Sequence, residues 1–545
     1  MREWFQKLTF HELLKKTSEK YPDKIALKFE SESWTFSSFT REVDRTASSL
    51  LKLGIKKQDK VAIWMPNRPE WLFCLFALSS IGAITVPINT RFRRTDIEYI
   101  LSQSDTSVLI TADISGPINY LDILTDACED LGKKHPGNVI RSKTFPELKK
   151  VVTIGNSHLP SSIPWDTFLV SDSQIANSNG SMPELKTSPD DTVLIMYTSG
   201  TTGFPKGVMH NHNILRTIED ASNRMGYTNE DVILMYLPLF HCFGLYEGPL
   251  MSITSGCSMI LLDRFDPGLV LEQVEQNKVS VMNGFDTHFF DILNHPNLHQ
   301  TNLKSLRTIL FAAGMEASES VAIRAQTELC PTVTAWGMTE VGVGATRSFL
   351  DSPNHERCSR SGFPLPGYEF KIINPETGLQ CPHDTPGELC VRGYAVMQGY
   401  YKKPEDTEAA IDLEGWFHSG DVATMSANES IRFLGRYKDQ LKVGGENVDP
   451  VEVEAFLQNH PSIEKVQIVG VPDGRLNEVP CACIITADNS CVELTDIEDF
   501  CKGQLASFKI PKHLVLMKEF PMTSSGKVQK FVLREQVADK LKLNR

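Results

Sequence analysis

The sequence predicts an α/β protein: a large N-terminal domain of parallel-type α/β subdomains with a small β-barrel-like unit, followed by a small α+β C-terminal domain. Three observations carry this. The chain has 545 residues, more than one ordinary hydrophobic core organises. Short apolar runs alternate with helical periodicity, a pattern that calls for right-handed crossovers in a largely parallel sheet. Between about 360 and 435 turn residues crowd together (Pro364, Pro366-Gly367, Pro375, Pro386-Gly387, Gly393, Gly399), which suggests the barrel-like unit.

Taken in order, Phe39, Val43, Ala47, Leu50 and Leu51 recur at helical spacing within 36–53, and Gly54 closes that helix. Lys60–Met65 reads as a strand. The apolar stretch Trp71–Ile88 contains Ser79, Ser80, Gly82 and Pro87, so it reads as a buried helix, a glycine stop and a strand rather than a membrane span. Val108–Ile110 is a further short strand. Residues 155–190, rich in Ser, Pro, Asn and Asp, read as a connecting loop. Strands follow at 231–236, 258–262, 279–282 and 306–311, with a helix at 267–277 between the second and third. Beyond a boundary near 436, helices at about 451–459 and 494–505 flank strands at about 464–470 and 480–486. The expected domains are therefore 1–436 and 437–545.

Apolar residues make up 41% and charged residues 23%, the proportions of a soluble globular protein, and the net charge of −13 argues against a nucleic-acid backbone as the main partner. No basic segment followed by an apolar core opens the chain, and it does not end in a peroxisomal address, so a cytoplasmic location is expected. The twelve cysteines are scattered without paired zinc-type spacing and read as reduced, buried thiols.

The chemistry is concentrated in a few stretches. After the apolar run Val193–Met196 comes Tyr197-Thr198-Ser199-Gly200-Thr201-Thr202-Gly203-Phe204-Pro205-Lys206-Gly207-Val208. Its glycines admit close backbone approach, its hydroxyls donate hydrogen bonds, and Lys206 adds a compact charge, so it reads as a phosphate-holding loop. It is not a Walker loop, because Lys206 stands between Pro205 and Gly207. Later come Leu237-Pro238-Leu239-Phe240-His241-Cys242-Phe243-Gly244, Ala312-Ala313-Gly314-Met315-Glu316 and Ala335-Trp336-Gly337-Met338-Thr339-Glu340. Next are Ser419-Gly420-Asp421, the long run Gly435–Glu454, and Pro521-Met522-Thr523-Ser524-Ser525-Gly526-Lys527-Val528-Gln529-Lys530.

In type and order these segments resemble the adenylate-forming superfamily, which includes acyl-CoA synthetases, luciferases and peptide-synthetase adenylation domains. The resemblance spans about residues 10–535. It implies an ATP-dependent acid–CoA ligase that adenylates a carboxylic acid, releases pyrophosphate and transfers the acyl group to CoA. It also implies that the C-terminal domain is mobile. Thr198, Ser199, Gly200, Thr201, Thr202, Gly203 and Lys206 would hold the β- and γ-phosphates. Backbone of Gly314, Met315 and Glu316 would face adenine, with Ala335, Trp336 and Gly337 beside it. Trp336 stands where most of the family has Tyr, so stacking is expected without the phenol's polar contact. Thr339 would bond the α-phosphate, Glu340 would bind Mg²⁺, and Asp421 would accept the ribose hydroxyls, supported by Arg436. Lys527 corresponds to the family's catalytic lysine, Lys438 to its hinge, and Lys442, Gly444 and Gly445 to the segment used with CoA. His241 would gate the acyl pocket or contact the acyl carboxylate.

For the pocket itself the candidates are Phe243, Tyr246, Glu247, Phe285 and Asp286. Plain fatty-acid relatives usually have neutral residues where Glu247 and Asp286 stand. A small or medium acid with a polar or cationic group is the resulting expectation, since a buried carboxylate wants a counter-charge; the alternative is that both carboxylates face away from the substrate or pair with basic neighbours. A module that loads a carrier-protein thiol, or an oxidative luciferase-like enzyme, shares the pattern.

Overall fold

The computed structural model describes residues 6–171, 186–198, 204–312, 319–436, 441–448, 450–487, 492–521 and 530–541. The chain divides into two compact units: 1–90, 98–197 and 207–435 form the first, and 91–97, 198–206 and 436–545 the second.

Two large sheets build the first unit. One runs in the order 332–334, 308–312, 281–285, 232–235, 258–261, 25–29, 32–35, parallel except for the terminal hairpin of 25–29 with 32–35. The other runs 399–400, 206–211, 192–198, 84–87, 60–64, 106–112, 150–154, 163–164, with parallel pairs throughout its 84–164 half. Parallel strands covered on both faces read as unbroken apolar runs, which is how Lys60–Trp64 and Thr192–Thr198 appear in the sequence. The expected helices Phe36–Leu53 and Pro69–Ile81 are present, each ended by a glycine in the left-handed region, Gly54 at φ 98° and Gly82 at φ 69°. Every residue of Pro69–Ile81 but Glu70 is buried in the protein, and among the described residues no helix is long and apolar enough to cross a membrane.

The turn-rich stretch forms a four-stranded antiparallel-type sheet in the order 368–373, 387–393, 417–425, 431–436. One expectation needs correcting. Residues 155–190 are not loop throughout: Ile163–Pro164 joins the second sheet, and Trp165–Phe168 forms a helical turn whose two aromatic rings lie 5.2 Å apart and are buried. The polar composition hid two aromatic anchors.

In the second unit, strands 446–448, 441–443, 477–486 and 463–473 lie in that order, with 513–516 paired parallel to 477–486, and helices Pro450–Leu457, Leu494–Cys501 and Lys530–Lys540 complete it. Residues 91–97 group with this unit through the buried Lys509 ammonium, 2.6 Å from Glu452 and 3.1 Å from Asp96. Burial alone would pull the Lys509 pKa down, but the two carboxylates outweigh it and hold the pKa above its ordinary value. All eleven described cysteines are free, and ten are buried.

Candidate active site

In the first unit the site is assembled on loops that leave parallel strands at their C-terminal ends, the usual ligand-binding edge of an open α/β sheet. The strand Thr332–Thr334 leads directly into Ala335–Glu340. The Trp336 N–H donates to Thr346 Oγ1 at 2.8 Å, which ties down the loop's start. Gly337 is required by packing: a Cβ there would lie 2.0 Å from Gly344 N. A single 3₁₀ turn, Thr339–Val341, then presents Thr339 and Glu340, both more than nine-tenths buried.

Thr339 is the meeting point. Its Oγ1 lies 3.4 Å from Cys242 Sγ, and its carbonyl lies 2.5 Å from His210 Nε2, on the strand that follows the glycine-rich stretch. Burial lowers the His210 pKa to about 4, so the ring is neutral at pH 7 and its Nε2–H donates to that carbonyl. Burial also pushes the Cys242 thiol up to about 12, which removes it as a nucleophile. His241 caps the short helix Cys242–Leu245 by accepting the Phe243 N–H on Nδ1 at 3.2 Å, an arrangement that leaves the neutral ring's proton on Nε2. Glu340 accepts from Tyr400 Oη at 3.2 Å.

Asp421 is also buried, on the strand Phe417–Met425 just after Gly420 at φ 68°. Its Oδ2 accepts the Trp336 indole Nε1–H at 2.9 Å. The Tyr-to-Trp departure therefore does not leave the aromatic without a polar contact, because the indole binds the very carboxylate read as the ribose acceptor. The rings of Phe243 and Phe285 meet edge-on at 5.0 Å, and Phe265, His288 and Tyr236 extend the aromatic cluster. Tyr246 is buried with its hydroxyl 3.8 Å from Met196 Sδ.

The reading of Glu247 as counter-charge to a cationic acid is overturned. Glu247 pairs with Arg347 through both guanidinium ends, and each side chain is 1% exposed. Its charge is already matched within the protein. Of Asp286 the helix position, at the start of Asp286–Leu293, is described.

In the second unit Lys442 lies on the strand Leu441–Val443 and its N–H donates to Glu478 at 2.7 Å. Gly444 and Gly445, at φ 57° and 85°, form the turn to Glu446–Val448, and a Cβ on Gly444 would meet Leu476 at 2.9 Å. Thr198 ends one strand and Lys206 begins the next; Arg436 ends the strand Ile431–Arg436. Ser199, Gly200, Thr201, Thr202, Gly203, Gly314, Met315, Glu316, Lys438 and Lys527 lie outside the described residues. Sequence reasoning missed His210, Tyr400 and Arg347. Only His210 carried a signal, a histidine following the short apolar pair Val208-Met209 directly after the glycine-rich stretch.

These features coincide with what known proteins show. The family model described as AMP-binding enzyme matches residues 14–401, and that of the AMP-binding enzyme C-terminal domain matches residues 452–527. YngI of Bacillus subtilis, whose name places it among the acyl-CoA synthetases, is 36% identical, with 98% of each chain covered. A mitochondrial medium-chain acyl-CoA ligase of Bos taurus is 33% identical over 97% of this chain and 87% of its own length. Among solved structures, an o-succinylbenzoate CoA synthetase of Bacillus subtilis bound to a product analogue superposes with a TM-score of 0.80 at 25% identity, covering 96% of this chain and 98% of that one. The chain belongs to the AMP-binding, adenylate-forming enzymes. Within them it falls in the acyl-CoA synthetase branch, the AMP-forming acid–CoA ligases.

Proposed function

We propose that this ligase activates an apolar, medium-chain carboxylic acid and passes the acyl group to the thiol of CoA. The single observation that carries the reading is Thr339. Its side chain touches the His241–Cys242 segment on the acyl side, and its backbone is held by His210 behind the phosphate stretch. A carboxylate and an α-phosphate placed on either side of Thr339 would be in line to react.

In this reading a carboxylate oxygen attacks the α-phosphorus and pyrophosphate leaves. Two anions repel, so positive charge and hydrogen-bond donors must face the oxygens where negative charge develops. Lys527 supplies the charge, Thr339 Oγ1–H a donor, and Lys206 with the hydroxyls of 198–202 orients the leaving group. Glu340, a buried oxygen ligand, fits one Mg²⁺ completed by phosphate oxygens and water; the ion would neutralise phosphate charge. Trp336 stacks on adenine and holds Asp421 toward the ribose. For the thioester step the second unit turns at Lys438, and Gly444 and Gly445 let the pantetheine arm pass close to backbone.

The acid's class is supported by the pocket candidates that can be placed. Phe243 and Phe285 offer apolar ring edges, and Glu247 is neutralised by Arg347. The names of the full-length mitochondrial relatives point the same way. Pyrophosphate release across a panel of acids, with and without CoA, tests the proposal. Each methylene buried contributes about 0.8 kcal/mol, so kcat/KM should rise up to about fourfold per added carbon until the pocket is full. Faster turnover of cationic or dicarboxylic acids than of alkanoates would refute the acid class. Label that reaches a carrier protein but not CoA would refute the acceptor.

Trp336→Phe keeps a ring for stacking and removes the donor to Asp421. A hydrogen bond to a charged group contributes about 1.5–3 kcal/mol, so the KM for ATP should rise roughly tenfold or more while kcat changes less. An unchanged KM would mean that the indole–carboxylate bond does not position Asp421 for the nucleotide.

A further inference from the structure

A cluster outside the reacting residues has the composition and geometry of a metal site. The strands Gly387–Gly393 and Phe417–Met425 run antiparallel, with Cys390 directly opposite His418 and Glu388 opposite Val422. Between those pairs two steps on one strand answer four on the other, so the stretch Ser419-Gly420-Asp421 carries two surplus residues and bulges. The bulge leaves Glu388, Cys390 and His418 converging. His418 Nδ1 lies 3.1 Å from Glu388 Oε2 and 3.6 Å from Cys390 Sγ, and the three candidate ligand atoms all lie within 4.8 Å of one another. With bonds of about 2.3 Å to sulfur and about 2.0 Å to nitrogen and oxygen, a tetrahedral ion separates S from N by roughly 3.5 Å and N from O by roughly 3.3 Å. The spacings already present are those edges.

The surroundings fit as well. His418 Nε2 faces Asp412 Oδ2 at 3.6 Å, and Asp412 Oδ1 is itself fixed by the N–H groups of Glu414 and Trp416 at 2.9 and 2.8 Å. A carboxylate behind the second ring nitrogen is the usual support of a metal-ligating histidine and leaves Nδ1 as the ligand. Cys390 is fully buried, whereas the side chains of Glu388 and His418 are 16% and 30% exposed, so an ion can enter from solvent. Thiolate with imidazole selects Zn²⁺, Co²⁺ or Cd²⁺ over the hard Mg²⁺ that suits Glu340.

We propose that Glu388, Cys390 and His418 bind one zinc-type ion, and that this site is coupled to nucleotide binding. The ion replaces the thiol proton of Cys390, which passes to solvent; no electrons move. The coupling runs through Glu388, whose Oε1 accepts the Gly420 N–H at 3.2 Å and so clamps the bulge that carries Asp421. Ligation through Oε2 draws charge from the same carboxylate, and so weakens the bond that Oε1 accepts from Gly420.

The test uses the full chain, stripped with a chelator and titrated with Co²⁺. One equivalent should produce tetrahedral visible bands and a near-ultraviolet thiolate-to-cobalt band, bleached by added Zn²⁺. The bands should vanish in Cys390→Ser and in His418→Gln and persist in Cys381→Ser. Because His418 is partly exposed, His418→Gln keeps the test decisive if Cys390→Ser does not fold. Absence of a thiolate band, or its survival in His418→Gln or a folded Cys390→Ser, overturns the site. Added Zn²⁺ at saturating Mg²⁺ should raise the KM for ATP several-fold in the parent and leave it unchanged in His418→Gln. An unmoved KM in the parent overturns the coupling.

Discussion

Lys527→Ala should slow acyl-AMP formation at least a hundredfold and leave thioester formation from supplied acyl-AMP within a few-fold of normal. The size follows from the chemistry. Removing one preorganised stabiliser of a developing oxyanion costs about 10²–10³ in rate, and in the proposed mechanism the lost group is a full positive charge. The asymmetry follows too, because attack of a thiolate on the mixed anhydride no longer brings a carboxylate against a triphosphate. The spacing Pro521-x-Thr523-x-x-Gly526-Lys527-x-x-Lys530 offers two lysines, of which Lys530 is among the described residues. Lys530 Nζ is 2.6 Å from Glu454 Oε1, which also accepts the Ile468 N–H at 2.7 Å, so Lys530 is committed to holding the second unit together. Lys530→Ala should therefore lower stability and weaken both half-reactions alike. Pyrophosphate release at a near-normal rate by Lys527→Ala would remove that residue from the mechanism.

The contrast between these lysines shows what a sequence reveals. Strands such as Lys60–Trp64 and Thr192–Thr198 were legible because a parallel strand buried on both faces is largely an apolar run. Helix ends were legible where a glycine takes positive φ, as at Gly54 and Gly82. Motifs with fixed internal spacing announced the loop at Trp336–Glu340 and the position of Asp421, which lies within the strand Phe417–Met425. The pairings between those segments were not legible. Trp336 and Asp421 are 85 residues apart, Glu247 and Arg347 100 apart, Cys390 and His418 28 apart, and Lys509 and Asp96 413 apart. No local pattern records which buried charge meets which, because that depends on how strands from different parts of the chain come into register. Cysteine spacing gave no hint of metal for the same reason: the ligands face each other across a strand pair. Glu247 shows the cost. Of the two readings open to it, the pairing with a basic neighbour holds: its partner is an arginine of the protein rather than a substrate cation.

That pair gives a large expected effect on stability. Arg347→Met should destabilise the first unit by about 3–5 kcal/mol, since it leaves the Glu247 carboxylate buried and unmatched. For a unit of this size the same change lowers the midpoint of thermal unfolding by roughly 3–6 °C. The effect should reach the active site as well. A Cβ on Gly344 would lie 3.1 Å from Arg347 Nη2, and one on Gly337 would lie 2.0 Å from Gly344 N. The guanidinium thus packs beneath the backbone that packs against the Trp336–Glu340 loop, and its loss should raise the KM for ATP along with the loss of stability. The Arg347 carbonyl also accepts from Arg224 Nη1, at the end of the helix Ile214–Arg224, at 2.8 Å, a contact the substitution keeps. The informative variant is the double one. Glu247→Met with Arg347→Met removes both charges and fills a similar volume, so most of the lost stability should return. Calorimetry of the parent, both single variants and the double variant at one scan rate closes the cycle. Additive losses in the double variant would show that the two side chains act by packing alone and that the buried ion pair contributes nothing of its own.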